Sequence, residues 1–148
     1  MEWFKVKVED GKKLVFDPIR RKYVALTPEE EVRQHTLFQL VTMMKVPKSL
    51  IAVEYSFHLN GLSKRCDIVV FTKEGKPVMI VECKSASVEV NQKVLEQAAR
   101  YNFKLKVNFL MLTNGRNQYY CFINEKEQKL QYLEQVPDYK DICKGNHL

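Results

Sequence analysis

Two short apolar runs joined by a turn constrain this chain more than any other feature. The first is Asp67-Ile68-Val69-Val70-Phe71, the second Val78-Met79-Ile80-Val81, and Lys73-Glu74-Gly75-Lys76-Pro77 lies between them. Runs this short, with Gly and Pro in the connection, read as two paired strands. Side chains alternate along a strand, so Glu82 and Lys84, which close the second run, share one face while Val81 and Cys83 point to the other. Hairpin pairing would bring Asp67 near Glu82. Two carboxylates and an ammonium would then converge at a strand end. Such a group suits a hard divalent cation, which prefers oxygen ligands, with a lysine beside a metal-bound water.

The flanking segments supply a mixed set of elements. Phe4, Val6 and Val8 alternate with charged residues, Asp10-Gly11 is a favoured hairpin turn, and residues 13–17 return. Arg20, Arg21 and Lys22 follow as a basic cluster that suits a solvated loop or a phosphate contact. Thr27-Pro28 starts a helix, with Thr as N-cap and Glu29, Glu30 and Glu31 in the first turn, where the helix dipole favours acids. Val32, Thr36, Leu40, Val41 and Met44 form its buried stripe, and the helix should end before Pro47. Residues 51–59 alternate as a strand, with Val53, Tyr55, Phe57 and Leu59 on one face and Glu54 on the other; Asn60-Gly61 turns the chain.

After Ser87 a second helix spans residues 92–103, with Leu95, Ala98, Ala99 and Phe103 toward the core. Gln97 and Tyr101 are four apart and share a stripe. Residues 107–113 are almost continuously apolar, as in a strand buried on both faces. Asn114-Gly115 ends it, residues 118–123 form the next strand, and Leu130, Tyr132 and Leu133 belong to a short closing element. The tail, residues 144–148, should fray.

With 148 residues the chain is one domain large enough for a core. We divide it into an N-terminal hairpin extension (1–24), a core (25–125) and a C-terminal extension (126–148). No run approaches the ~20 apolar residues of a membrane span, and Met1-Glu2-Trp3-Phe4-Lys5 lacks a secretion signal's apolar stretch. Cys66, Cys83, Cys121 and Cys143 show no Cys-xx-Cys spacing and read as reduced thiols of a cytoplasmic protein. The net charge of +6 favours a polyanionic partner.

Asp67, fourteen residues and then Glu82-Cys83-Lys84 resembles the PD-(D/E)xK nuclease superfamily. Gln97-Ala98-Ala99-Arg100-Tyr101 is similar to the Gln-xxx-Tyr signature carried by several of its branches on the following helix. Residues 27–34, together with Asp17-Pro18-Ile19-Arg20, Lys64-Arg65-Cys66-Asp67 and Leu112-Thr113-Asn114-Gly115, resemble the nuclease domain of type I restriction endonuclease R subunits. The likeness covers roughly residues 15–125 in order.

The resemblance implies an α/β (α+β) fold, a restriction-endonuclease-like mixed sheet flanked by helices. It implies a Mg²⁺- or Mn²⁺-dependent deoxyribonuclease with Asp67, Glu82 and the Cys83 carbonyl as metal ligands. Lys84 would serve the attacking water, Gln97 and Tyr101 would line the cleft, and Glu30 is favoured among Glu29, Glu30 and Glu31 for a place near the metal. Arg33, Arg65, Arg20 and Arg21 are candidate DNA contacts. DNA is the expected partner, with a homodimer or motor and specificity subunits as further ones and no membrane. No Gly-xxxx-Gly-Lys-Ser/Thr loop occurs, so the likeness is to the nuclease part and not to a motor. The alternative is a noncatalytic nucleic-acid-binding or accessory module of a restriction or repair complex.

Overall fold

The computed structural model describes residues 2–124 and 126–145. The end of the tail, including His147, lies outside the described residues. At the N-terminus, β1 (Val6–Glu9), β2 (Lys12–Asp17) and β3 (Lys22–Ala25) form an antiparallel meander. The sequence pattern foresees the first two strands. It misses β3, because the chain re-enters the sheet within the basic cluster itself, pairing Lys22 with Asp17.

A six-stranded sheet comes next, in sequential order: β4 (Ile51–Leu59), β5 (Leu62–Phe71), β6 (Pro77–Cys83), β7 (Phe109–Thr113), β8 (Gln118–Asn124) and β9 (Lys129–Leu133). Every neighbouring pair is antiparallel except β6–β7, which a helical crossover makes parallel. That helix is α2 (Gln92–Asn102), capped by Asn91, whose side chain accepts from the Val94 N–H. On the other face lies α1 (Pro28–Thr42), where Thr27 Oγ1 accepts the Glu30 N–H as the sequence foresees. A short helix, α3 (Tyr139–Lys144), also packs there through Ile142. Six residues with one buried apolar side chain leave no periodicity to read, so the pattern gives a closing element and no helix.

The sheet is thus the middle of three layers. Leu37, Leu40, Ile68, Val70, Met79, Val81 and Met111 fill the α1 side, and Val69, Ile80, Leu95, Ala99, Leu110 and Leu112 the α2 side. All five residues of β7 are buried, as a strand covered on both faces requires. The four cysteines are free thiols, with Cys66, Cys83 and Cys121 buried and Cys143 exposed. Among the described residues no helix is long and apolar enough to cross a membrane.

The β4–β5 ladder is interrupted at one point. Val53 pairs with Ile68 and Tyr55 with Cys66, but Glu54 and Asp67, which lie between, form no ladder pair. Glu54 has a φ of 56°, in the left-handed region. Across this break both strands reverse their facing. Val53 packs on the α1 side and Phe57 on the α2 side; Ile68 packs on the α1 side and Cys66 on the α2 side. The single face expected for Val53, Tyr55, Phe57 and Leu59 is therefore divided, because one left-handed residue rotates the strand between its two halves.

The turn after β7 is fixed by buried Asn114. Its Oδ1 accepts the N–H groups of Arg116 and Asn117, both at 2.9 Å, and its Nδ2 donates to the Val88 carbonyl at 2.8 Å. Asn114→Ala strands these partners and is expected to lower stability by about 2–3 kcal/mol, read as a lower urea midpoint at unchanged m-value.

Candidate active site

The β5–β6 ladder ends at Ile68↔Val81. One step on, Asp67 stands across from Glu82, and the backbone pairing gives way to a side chain: the Cys83 N–H donates to Asp67 Oδ2 at 2.8 Å. Regular alternation would put Asp67 beside Val69, on the α2 side. The break at Glu54 turns it instead toward α1, where Arg33 Nη2 lies 3.2 Å from its Oδ1. Glu82 keeps regular alternation with Ile80, on the α2 side. Its Oε1 accepts from Lys64 Nζ at 2.6 Å, and that ammonium lies 4.6 Å from the centre of the Tyr101 ring on α2. The two carboxylates are neighbours across the β5–β6 pair, yet each leans to its own helix and holds its own cation.

Behind Asp67 lies a buried ionic network centred on Glu30. Oε1 accepts from Arg33 Nη1 at 2.6 Å and Oε2 from Gln34 Nε2 at 3.1 Å. Arg20 Nη2 is 2.7 Å from Glu30 Oε2, although this nitrogen makes no aligned hydrogen bond, so the contact is an ion pair. Arg20 also reaches Asp17 through Nε and Glu54 through Nη1, the latter at 2.7 Å. Asp17 is fully buried and accepts the backbone N–H groups of Ile19 and Arg20. Arg65 Nη2 caps the remaining Glu54 oxygen. Burial works against the Arg33 charge, but Glu30 and Asp67 outweigh it and its pKa is raised. The Cys66 thiol, felt by Lys64, Glu82 and Asp67 alike, is pushed up to about 12 chiefly by burial.

The remaining candidates divide. Lys84 follows the end of β6, is exposed, and makes no ion pair among the described residues; its N–H donates to the Thr113 carbonyl at 2.8 Å. Tyr101 meets Lys64, not Lys84. Gln97 is exposed and hydrogen-bonds to none of the others. Arg20 and Arg33 are committed to carboxylates, Arg65 is exposed but paired with Glu54, and Arg21 is exposed. Glu29 lies 3.4 Å from Arg33 Nη2. Glu31 lines a cleft of about 430 Å³ between α1 and the β7–β8 turn, with His35, Ala86 and Arg116.

Among the described residues no three His, Cys, Asp or Glu side chains gather in a form that could hold a metal ion. The donors at the strand end are nonetheless of the right chemistry for a hard cation. Asp67 and Glu82 occupy facing positions, the Cys83 carbonyl lies between the strand end and Lys84, and Glu82 Oε2 accepts no hydrogen bond among the described residues. Lys64 and the anchor Asp17 stand in segments that resemble the R-subunit nuclease domain, but the resemblance assigns neither a role, and Glu54 carries no motif of its own. Lys64 lies beyond the apolar run, where strand periodicity stops pointing to a partner.

A three-layer mixed-sheet domain with an ionic cluster at one strand end is the class that this fold and site define. The chain belongs to the family described as Type I restriction enzyme R protein N terminus (HSDR_N), whose profile matches residues 28–137. Its fold is shared with a fragment assigned as an HsdR subunit of a type I restriction enzyme from Vibrio vulnificus YJ016, at a TM-score of 0.56 and 22% identity over 81% of this chain. The match spans 25% of that longer chain. No curated protein matches the sequence.

Removing one partner of a buried ion network leaves the others uncompensated. Arg20→Ala leaves Asp17 with backbone donors alone and Glu30 with Arg33 and Gln34, and is expected to cost about 3 kcal/mol, the lower end for a broken buried pair. Arg20→Lys, which keeps the charge but not the three-way fork, should fall between, as measured by denaturant unfolding.

Proposed function

We propose that the chain is a metal-dependent endonuclease that hydrolyses DNA phosphodiester bonds in a restriction or DNA-processing role. One observation carries this: Asp67 is bonded to the backbone of the Glu82-Cys83-Lys84 segment at the point where β5 and β6 part. Asp67, Glu82 and the Cys83 carbonyl would hold Mg²⁺ or Mn²⁺. Such an ion, when bound, polarises a phosphoryl oxygen and acidifies a bound water. Lys84, free of carboxylate partners among the described residues, orients the attacking water or offsets charge developing on the phosphoryl oxygens. Water attacks phosphorus in line, the bond to the 3′ oxygen breaks, and that oxygen takes up a proton.

Glu30 acts here as a positioning residue, since its contact with Asp67 runs through Arg33. Arg33 in turn sets the Asp67 carboxylate against β6. Tyr101 backs the site through Lys64, while Gln97, Arg21 and Arg65 are available to the DNA backbone. Membership of an R-protein family supports assembly with motor and specificity subunits; a cytoplasmic location and pairing of two copies to cut both strands belong to the same reading.

A second reading, a noncatalytic DNA-binding or accessory module, is favoured by the pairing of both carboxylates with cations. A panel of single-stranded, duplex and branched DNA with Mg²⁺ or Mn²⁺ separates the two. Metal-dependent cleavage is expected, with Glu82→Ala losing at least about 100-fold in rate while retaining salt-sensitive DNA binding. Binding without cleavage across the panel would favour the module.

A further inference from the structure

We propose that Lys64 is a two-position residue: without DNA it closes Glu82, and on a DNA strand it moves to a phosphate and opens that carboxylate to a divalent cation. The inference rests on the metal-nuclease reading and names how substrate regulates the site.

The two candidate ligands are capped by cations of different kinds. Arg33, on Asp67, is buried and pinned by Glu30 Oε1 at 2.6 Å, with Glu29 nearby. A fork held by several carboxylates does not leave readily. Among the described residues Lys64 has one carboxylate contact, to Glu82 Oε1 at 2.6 Å, and its ammonium otherwise rests over the Tyr101 ring. The Lys64 side chain is 18% exposed against 9% for Arg33, so it is half-buried but the nearer of the two to solvent. A lysine is a compact charge on a flexible stem, suited to changing partners.

The backbone favours such movement. Lys64 belongs to the part of β5 that lies beyond the last ladder pair with β6, and its ladder partner there is β4, through Phe57↔Lys64. The break at Glu54 and Asp67 separates this two-stranded arm from the body of the sheet. The arm carries Lys64 and Arg65 alongside the strand end where the scissile phosphate would lie. A DNA strand offers a dense row of phosphates, each able to replace Glu82 as the partner of Lys64. An ammonium at Glu82 Oε1 and a divalent cation on the same carboxylate repel each other. Whatever draws Lys64 away must therefore strengthen metal binding, and by linkage metal must strengthen DNA binding equally.

The test is Mn²⁺ binding to the full chain, followed by the electron paramagnetic resonance of free Mn²⁺, with duplex DNA affinity measured in parallel. DNA arms use a Lys84→Ala background to suppress cleavage. Lys64→Met, with Lys64→Gln as a second variant should the first fold poorly, is expected to raise Mn²⁺ affinity without DNA by about tenfold. A merely structural lysine would lower it on removal. In the Lys64 protein Mn²⁺ should tighten DNA binding by more than plain charge balance does, and in the Lys64 variants that coupling should fall by a similar factor. Unchanged or weaker Mn²⁺ binding in the variants, or coupling that survives them undiminished, would overturn the proposal while leaving the nuclease reading standing. Absence of Mn²⁺ binding in every protein, with and without DNA, would overturn both.

Discussion

A carboxylate buried at the start of a helix sets the terms for this fold. Glu30 is 5% exposed, and an unpaired charge in that position would cost several kcal/mol. Its partners come from two directions. Arg33 and Gln34 arise from the next helical turn, and Arg20 comes from the loop between β2 and β3. The meander therefore becomes part of the domain, because the core charge it neutralises cannot be left alone. Asp17 holds Arg20 in place from behind, and Glu54 joins β4 to the same arginine. Three separate segments are fixed to one another by charge before any reach the catalytic candidates.

That network also decides how Asp67 is presented. The left-handed backbone at Glu54 places its carboxylate between Arg20 and Arg65 and rotates the facing strand, so Asp67 meets Arg33. A regular ladder would have set Asp67 and Glu82 side by side on one face. The break parts them and leaves two half-sites, one fixed by arginine and one closed by lysine. An arginine held by several carboxylates on one side and a lysine on the other give the site an asymmetry that a simple pair of facing carboxylates lacks.

Much of this was legible in the residues. The bounds of β4, the Thr27 cap, the α2 span and the doubly buried β7 follow from periodicity and turn chemistry, which are local. The positions of Glu82 and Lys84 at the end of β6 follow from the hairpin alone, whereas Asp67 stands inside β5, whose first five residues precede the apolar run. Glu54 is the limit of such reasoning. Nothing in Val53-Glu54-Tyr55 marks a left-handed residue, whose conformation is stabilised by arginines from distant segments. The fate of Arg20 was hidden for the same reason. A basic residue reads as a phosphate contact until the fold supplies a buried carboxylate for it. Lys64 was missed because its partner, Glu82, is close in space and eighteen residues away in sequence.

The balance of charge at the site differs from that of the whole chain. The protein carries +6, which draws it toward a polyanion at long range. In the network itself, Asp17, Glu29, Glu30, Glu54 and Asp67 face Arg20, Arg33 and Arg65, five carboxylates against three guanidiniums. The Lys64–Glu82 pair beside it adds no net charge. The strand end is thus locally short of positive charge within a basic molecule. If Lys64 moves to a phosphate, the deficit grows by one at the moment the polyanion arrives. A strand of DNA and an uncapped Glu82 repel one another unless a cation enters between them. On the proposed nuclease reading, substrate and metal then depend on each other for electrostatic reasons that precede any chemistry.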